Sequence, residues 1–162
     1  MFKHTASGLA FALASLIAAN ASAQMVIEKK VISAEAARLI AEGCEAYAKE
    51  RGWHVTVWVL DETLTPLYMY RMPGTLMFTV KPALMKAEAA VRTGQPNDAY
   101  VANATTRGPF VATVNAIAQN YVLSPGGLPI MIDGQVAGGI GIGGSTDDRA
   151  CAQAGIDAVF KK

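Results

Sequence analysis

The sequence predicts an α+β domain built on a single, mainly antiparallel sheet flanked by helices. Three observations carry that class. Residues 53–71 read as two strand-like runs around a polar turn. Residues 128–142 repeat the pattern around Asp133-Gly134, a strong signature of a two-residue hairpin. Segments of helical period stand before, between and after these hairpins.

Each element has a local reason. Ser33 is a good N-cap and Glu35 suits a first helical turn. Ala36, Ile40, Cys44 and Tyr47 then recur at helical spacing, and Gly52 stops the helix. Trp53 to Leu60 is expected as a strand, with Val55, Val57 and Val59 on one face. His54, Thr56, Trp58 and Leu60 fall on the other, so both faces are largely apolar and the strand is expected to be central. Residues 61–66 turn the chain into a return strand, Leu67 to Arg71, and Pro73-Gly74 breaks it. A helix follows from Val80 to Arg92, with Pro82 in its first turn. Its expected core stripe is Val80, Leu84, Ala87 and Val91, which leaves Lys86 off the stripe. Asn97 to Thr106 reads as a short helix, and Arg107 to Leu123 fits helix or strand equally. Leu128 to Ile132 and Gln135 to Ile142 form the second hairpin. Ser145 is expected to cap the last helix, with Cys151, Ala154, Gly155 and Ala158 facing inward.

Residues 1–23 read as a cleavable secretory signal peptide. Lys3 is the positive start, Ala6 to Ala19 the apolar run, and Ala21-Ser22-Ala23 the small-x-small cleavage pattern. The run is short for a membrane span, so the expectation is one domain, residues 24–162, periplasmic or secreted, with no membrane span after cleavage. Lys3 is the leader's single charged side chain, and without it acidic and basic residues balance. A neutral domain has no electrostatic footprint for nucleic acid. Two cysteines, Cys44 and Cys151, in an oxidising compartment invite a disulfide, and two buried free thiols are the alternative.

Several chemistries are set aside by residue count. After cleavage His54 is the one imidazole, there is no G-x-S-x-G elbow, and a Ser-His triad lacks its parts. One histidine and two distant cysteines do not make a standard zinc site. The run 139–144 matches G-x-G-x-x-G, but a single helix follows it and no second parallel strand, so a dinucleotide site is refused. Those glycines are read instead as letting a strand pack closely under a helix. Gly143, Gly144 and Ser145 also put free N–H groups at a helix start, a cap or an anion contact. Haem needs only one strong axial ligand. His54 is the candidate for its iron, set against the plain reading of a packed or surface histidine. Met69, Met72, Met77, Tyr68 and Tyr70 are secondary candidates. Arg71 and Lys86, either side of the Pro73-Gly74 break, are candidate cations for carboxylates or propionates.

Taken together the chain resembles the GlcG/HbpS family, the haem-binding or haem-degrading-like domain also found at the C-terminus of PduO-type proteins. The resemblance rests on Ser33-Ala34-Glu35-Ala36-Ala37, the strand from Val55 to Asp61, Arg71-Met72 with Gly74, and Lys86-Ala87. It continues through Gly126-Gly127-Leu128-Pro129-Ile130, the run Asp133 to Gly141, and Asp148 with Cys151 to Gly155. It implies one antiparallel sheet with helices on its faces, a homo-oligomer, and a small-molecule ligand, haem or a related tetrapyrrole first. Arg71, Met72, Lys86, Gly126, Gly127, Gly143, Gly144 and Ser145 carry over as candidate ligand-binding positions. Thr63, Leu64 and Thr65 replace the glycine, and sometimes histidine, that family members place in the first hairpin turn. Two rival functions remain: binding or isomerisation of a small 2-hydroxy or 2-oxo acid at Arg71, Lys86 and the 143–145 loop, and an accessory subunit without ligand. No catalytic residue is singled out.

Overall fold

The computed structural model describes residue 25, residues 27–106, residue 108 and residues 124–161. The signal peptide and, apart from residue 108, the ambiguous segment 107–123 lie outside the described residues. Helix α1 spans Ala34–Glu50 and strands β1 and β2 span Thr56–Asp61 and Pro66–Arg71. A 3₁₀ turn at Met77–Thr79 leads into α2, Val80–Thr93, and α3, Asn97–Thr106. Strands β3 and β4 span Gly127–Ile132 and Gln135–Gly143, and α4 spans Asp148–Phe160. The sheet order is β2-β1-β4-β3 with every neighbour antiparallel. The expected α+β class and the central place of β1 are therefore what the chain forms. Among the described residues no helix is long and apolar enough to cross a membrane.

The alternation of β1 sorts the molecule into three layers. Val57 and Val59 face one side with Ile140 and Ile142 of β4, and α1 and α4 cover them with Ile40, Cys44, Cys151 and Ala152. Thr56, Trp58 and Leu60 face the other side, opposite Gly143, Gly141 and Gly139. Helix α2 covers that side with small residues, Ala83, Ala87 and Ala90, all fully buried. The glycines are the reason it fits. A Cβ on Gly141 would overlap the Ala83 carbonyl oxygen, and one on Gly139 would stand 2.6 Å from Val91 Cγ2. The reading of this glycine run as a packing surface thus holds. Gly141→Ala is expected to cost about 3 kcal/mol, the upper end for overpacking, because backbone rather than a side-chain tip must yield. Urea unfolding measures it, and a loss below about 1 kcal/mol would mean that α2 lifts freely.

Two turns show local chemistry at work. Asp133 and Gly134 both take positive φ, 49° and 77°, as the two-residue hairpin demands. In the first hairpin, Asp61 Oδ1 accepts from Thr63 N at 2.8 Å, Thr63 Oγ1 at 2.7 Å and Thr65 N at 2.8 Å. Partial burial pushes the Asp61 carboxyl upward, and these hydrogen bonds outweigh it and hold it below its usual range. Thr63 and Thr65 therefore give this turn its own hydrogen bonding.

Three local expectations are corrected. The last helix is capped by Asp147, whose side chain accepts from Ala150 N at 2.9 Å, rather than by Ser145. Both residues are good caps, and Ser145 is engaged elsewhere. The buried face of α2 is centred on Ala83, Lys86, Ala87 and Ala90, not on Val80 and Leu84. Alanines and Val91 pack against the glycine stripe, so of the expected stripe Ala87 and Val91 are buried and Val80 and Leu84 are displaced to the flanks. β1 begins at Thr56, which places His54 before the strand and not in it.

Cys44 of α1 and Cys151 of α4 form a disulfide, with their Cα atoms 4.8 Å apart. The two helices meet closely beside it, because Gly43 and Gly155 present no side chain at the contact.

Candidate functional site

A cavity of about 630 Å³ opens where the end of β4, the start of α2, the start of α4 and the segment after α1 converge. That volume lies in the usual range for a small-molecule site. Its lining has two characters. Trp53, Leu76, Phe78 and Pro82 form an apolar wall, and Lys86, Asp148, Ser145 and Thr79 form a polar floor.

The apolar wall is wetter than a core would be. Leu76 is 66% exposed and Phe78 71%, and Met77 between them is 80% exposed. Three consecutive large apolar side chains left in water at a cavity mouth mark a contact surface. The turn that carries them is fixed from beneath. Thr79 Oγ1 donates to Leu76 O at 2.7 Å and pairs with Thr56 Oγ1 at 2.8 Å, both threonines being buried. Trp58 Nε1 donates to Val80 O at 3.0 Å. Arg51 stacks over Tyr47, its guanidinium carbon 3.4 Å from the ring centroid, and Tyr47 packs against Trp53 of the wall.

His54 lines the cavity and is exposed. It is the one imidazole among the described residues. Two glycines leave room for it. A Cβ on Gly74 would stand 3.3 Å from His54 Nδ1, and one on Gly144 would stand 2.5 Å from His54 O. Gly74 thus leaves room for the ring, and Gly144 for the residue's backbone.

The floor is an ordered polar network. Lys86 is buried, and its Nζ donates to Ile142 O at 2.9 Å and to Asp148 Oδ2 at 2.7 Å. Asp148 Oδ1 accepts from Ser145 N at 2.9 Å and Ser145 Oγ at 2.7 Å. The Asp148 side chain is only 12% exposed, so both charges sit largely out of water and neutralise one another.

The structure brings together His54, Lys86, Gly143, Gly144 and Ser145 of the residues expected at a site. Arg71, Met72, Gly126 and Gly127 do not line the cavity. Arg71 Nη1 donates to Thr75 O at 2.6 Å, so it braces the wall from behind. Met72 is buried, and Val55 N approaches its sulfur at 3.5 Å. Gly126 takes φ +109° against Asp148, and Gly127 packs on Asn97 and the backbone of Lys86. The two cations expected around one pocket are therefore not assembled, and Lys86 alone reaches it. Asp148, Leu76, Phe78 and Thr79 were not among the expected site residues. Asp148 carried one signal: a lysine that is to be buried needs a carboxylate.

Comparison with known proteins gives a consistent picture. A family profile described as Haem degrading protein HbpS-like matches residues 32–157. A Citrobacter freundii protein, described as an uncharacterized 15.0 kDa protein in the dhaT-dhaS intergenic region, is 31% identical over 132 residues. That match covers 78% of this chain and 90% of the relative. Klebsiella pneumoniae protein ORFY superposes with a TM-score of 0.77 at 25% identity, over 85% of this chain and 96% of its own. A double mutant of Streptomyces reticuli HbpS gives 0.74 at 27% identity, over 85% and 92%. The fold is shared also with PduOC, solved as a haem complex, at a TM-score of 0.73 and 24% identity over 80% and 96%.

Proposed function

Since the chain belongs to the HbpS-like family, we propose that it binds a tetrapyrrole, haem in the first instance, in the cavity between His54 and Lys86. One observation carries the reading. A cavity of about 630 Å³ has an exposed apolar wall on one side and the described residues' one imidazole at its mouth. A flat, apolar, iron-bearing ring needs both features. Leu76, Phe78, Trp53 and Pro82 supply apolar area, and His54 supplies the nitrogen ligand. Bound there, haem would bring redox-active iron, and the chain's own residues would hold the ring and shield one face from water. The PduOC haem complex supports this reading as a likeness of fold.

We place the protein outside the cytoplasm, after removal of residues 1–23, as a homo-oligomer. The Cys44–Cys151 disulfide supports an oxidising compartment. The exposed run Leu76-Met77-Phe78 supports a surface that is covered on ligand binding or assembly.

Titration with hemin tests the function. The purified protein is expected to shift the Soret band and to lose Trp53 fluorescence, since that indole lines the same cavity. His54→Ala is expected to weaken binding by about tenfold or more, equivalent to at least about 1.4 kcal/mol. No Soret shift would remove haem from the account. A shift unchanged in the variant would remove His54.

A further inference from the structure

The hydrogen-bonding capacity left over at the cavity floor specifies a ligand edge. An ammonium carries three donors, and Lys86 uses two of them, on Ile142 O and Asp148 Oδ2. Among the described residues the third has no recorded partner. Asp148 Oδ1 is occupied twice by Ser145, whereas Oδ2 accepts one bond, from Lys86, and retains a lone pair. Both groups line the cavity, and the Lys86 side chain is 7% exposed. One spare donor and one spare acceptor therefore stand side by side, 2.7 Å apart, in a pair with no net charge.

A carboxylate matches this floor poorly. It would take the Lys86 hydrogen and confront the Asp148 oxygen with a like charge. An apolar ring edge matches no better, because it would leave the spare donor and the spare acceptor unmet. An adjacent N–H and C=O matches fully, the N–H donating to Asp148 Oδ2 and the C=O accepting from Lys86. That edge is a cis-amide, as in a lactam. In tetrapyrroles, terminal lactams exist where the ring has been opened, and the closed macrocycle has none. We propose that the Lys86–Asp148 floor is a lactam-reading subsite, and that the cavity accepts a ring-opened, linear tetrapyrrole in preference to the metal-free closed ring. The inference rests on the tetrapyrrole reading of the same cavity, and it concerns the floor rather than His54. The propionates of either ligand are then directed to the mouth, away from Asp148.

The test compares biliverdin with metal-free protoporphyrin IX on the full-length purified protein, by fluorescence quenching and absorbance. Both carry two propionates and neither carries iron, so the lactams are the main polar difference. Biliverdin is expected to bind at least about tenfold more tightly. In Lys86→Met, which removes the donor and leaves Asp148 with Ser145, that preference is expected to fall to about threefold or less. Equal affinities in the unmodified protein overturn the proposal whether or not the variant folds, as does a preference unchanged in a folded Lys86→Met. Biliverdin preference without a hemin Soret shift would remove haem and keep the lactam subsite. A hemin shift without biliverdin preference would do the reverse.

Discussion

Replacing Asp148 with alanine is expected to destabilise the protein by about 3–5 kcal/mol, because it leaves a buried ammonium without its counter-charge. The magnitude follows from burial. The Lys86 side chain is 7% exposed and lies on the buried face of α2, where water reaches it poorly. Its remaining partner, Ile142 O, accepts a hydrogen bond and cannot neutralise a charge. The same substitution frees the Ser145 amide and hydroxyl, which both end on Asp148. Lys86→Met is expected to cost less, since Asp148 keeps two donors and is more exposed than its partner. The double variant Lys86→Met/Asp148→Ala is expected to recover part of the loss, because no buried charge remains. Urea unfolding of the three variants measures this order. An Asp148→Ala loss of less than about 1 kcal/mol would show that Lys86 escapes to water and that the floor is not fixed.

Reduction of the Cys44–Cys151 bond is expected to cost about 2–4 kcal/mol and to lower the melting temperature by roughly 10 °C. The two cysteines are 107 residues apart in sequence, so the bond closes a loop that holds the whole sheet. Loop-closure entropy in the unfolded chain favours such long loops, and a loop of about 100 residues sits near 4.7 kcal/mol in the entropic account. Both cysteines lie in the core under α1 and α4, so the reduced thiols remain buried and the packing around them persists. The penalty therefore falls chiefly on the unfolded side. Thermal melts with and without reductant, and of Cys44→Ala/Cys151→Ala, measure it. A melting temperature unchanged by full reduction would contradict the argument.

Much of the architecture was legible in the sequence because it is dictated locally. Asp133-Gly134 determines its hairpin through backbone angles that few other pairs adopt. Ser33 caps its helix by accepting from Ala36 N at 3.1 Å, as its residue type and position suggest. The glycines of β4 were readable as a packing surface because they lie in the return strand of an antiparallel hairpin, whereas a dinucleotide site needs parallel strands. The site was less legible because it is made by tertiary contact. Lys86 and Asp148 are 62 residues apart, and a hydrophobic stripe drawn on α2 selects its large apolar residues. The helix instead turns mainly alanines inward, with Lys86 and Val91, because the sheet beneath offers little room. Arg71 was grouped with Lys86 by nearness to the Pro73-Gly74 break, yet its guanidinium folds onto Thr75 O. The exposed run 76–78 carries no hydrophobic period, so nothing in the pattern set it apart from core. Ser145 and Asp147 were equally suited to cap α4, and the choice fell on Asp147 because Asp148 holds Ser145.

The seating of α2 on bare backbone has a mechanical consequence. Most helices rest on a sheet through a layer of side chains that can change rotamer and so absorb displacement. Between α2 and β4 that cushion is nearly absent, since Gly139, Gly141 and Gly143 bring main chain close to main chain. Helix and sheet must then move as one stiff body. Lys86 rides on that body and stays in register with Ile142 whatever occupies the space above it. Variation in ligand size falls instead to the exposed side chains of Leu76 and Phe78, which keep the rotamer freedom that the floor lacks. Shape tolerance therefore belongs to the side chains at the rim, and chemical discrimination to the floor.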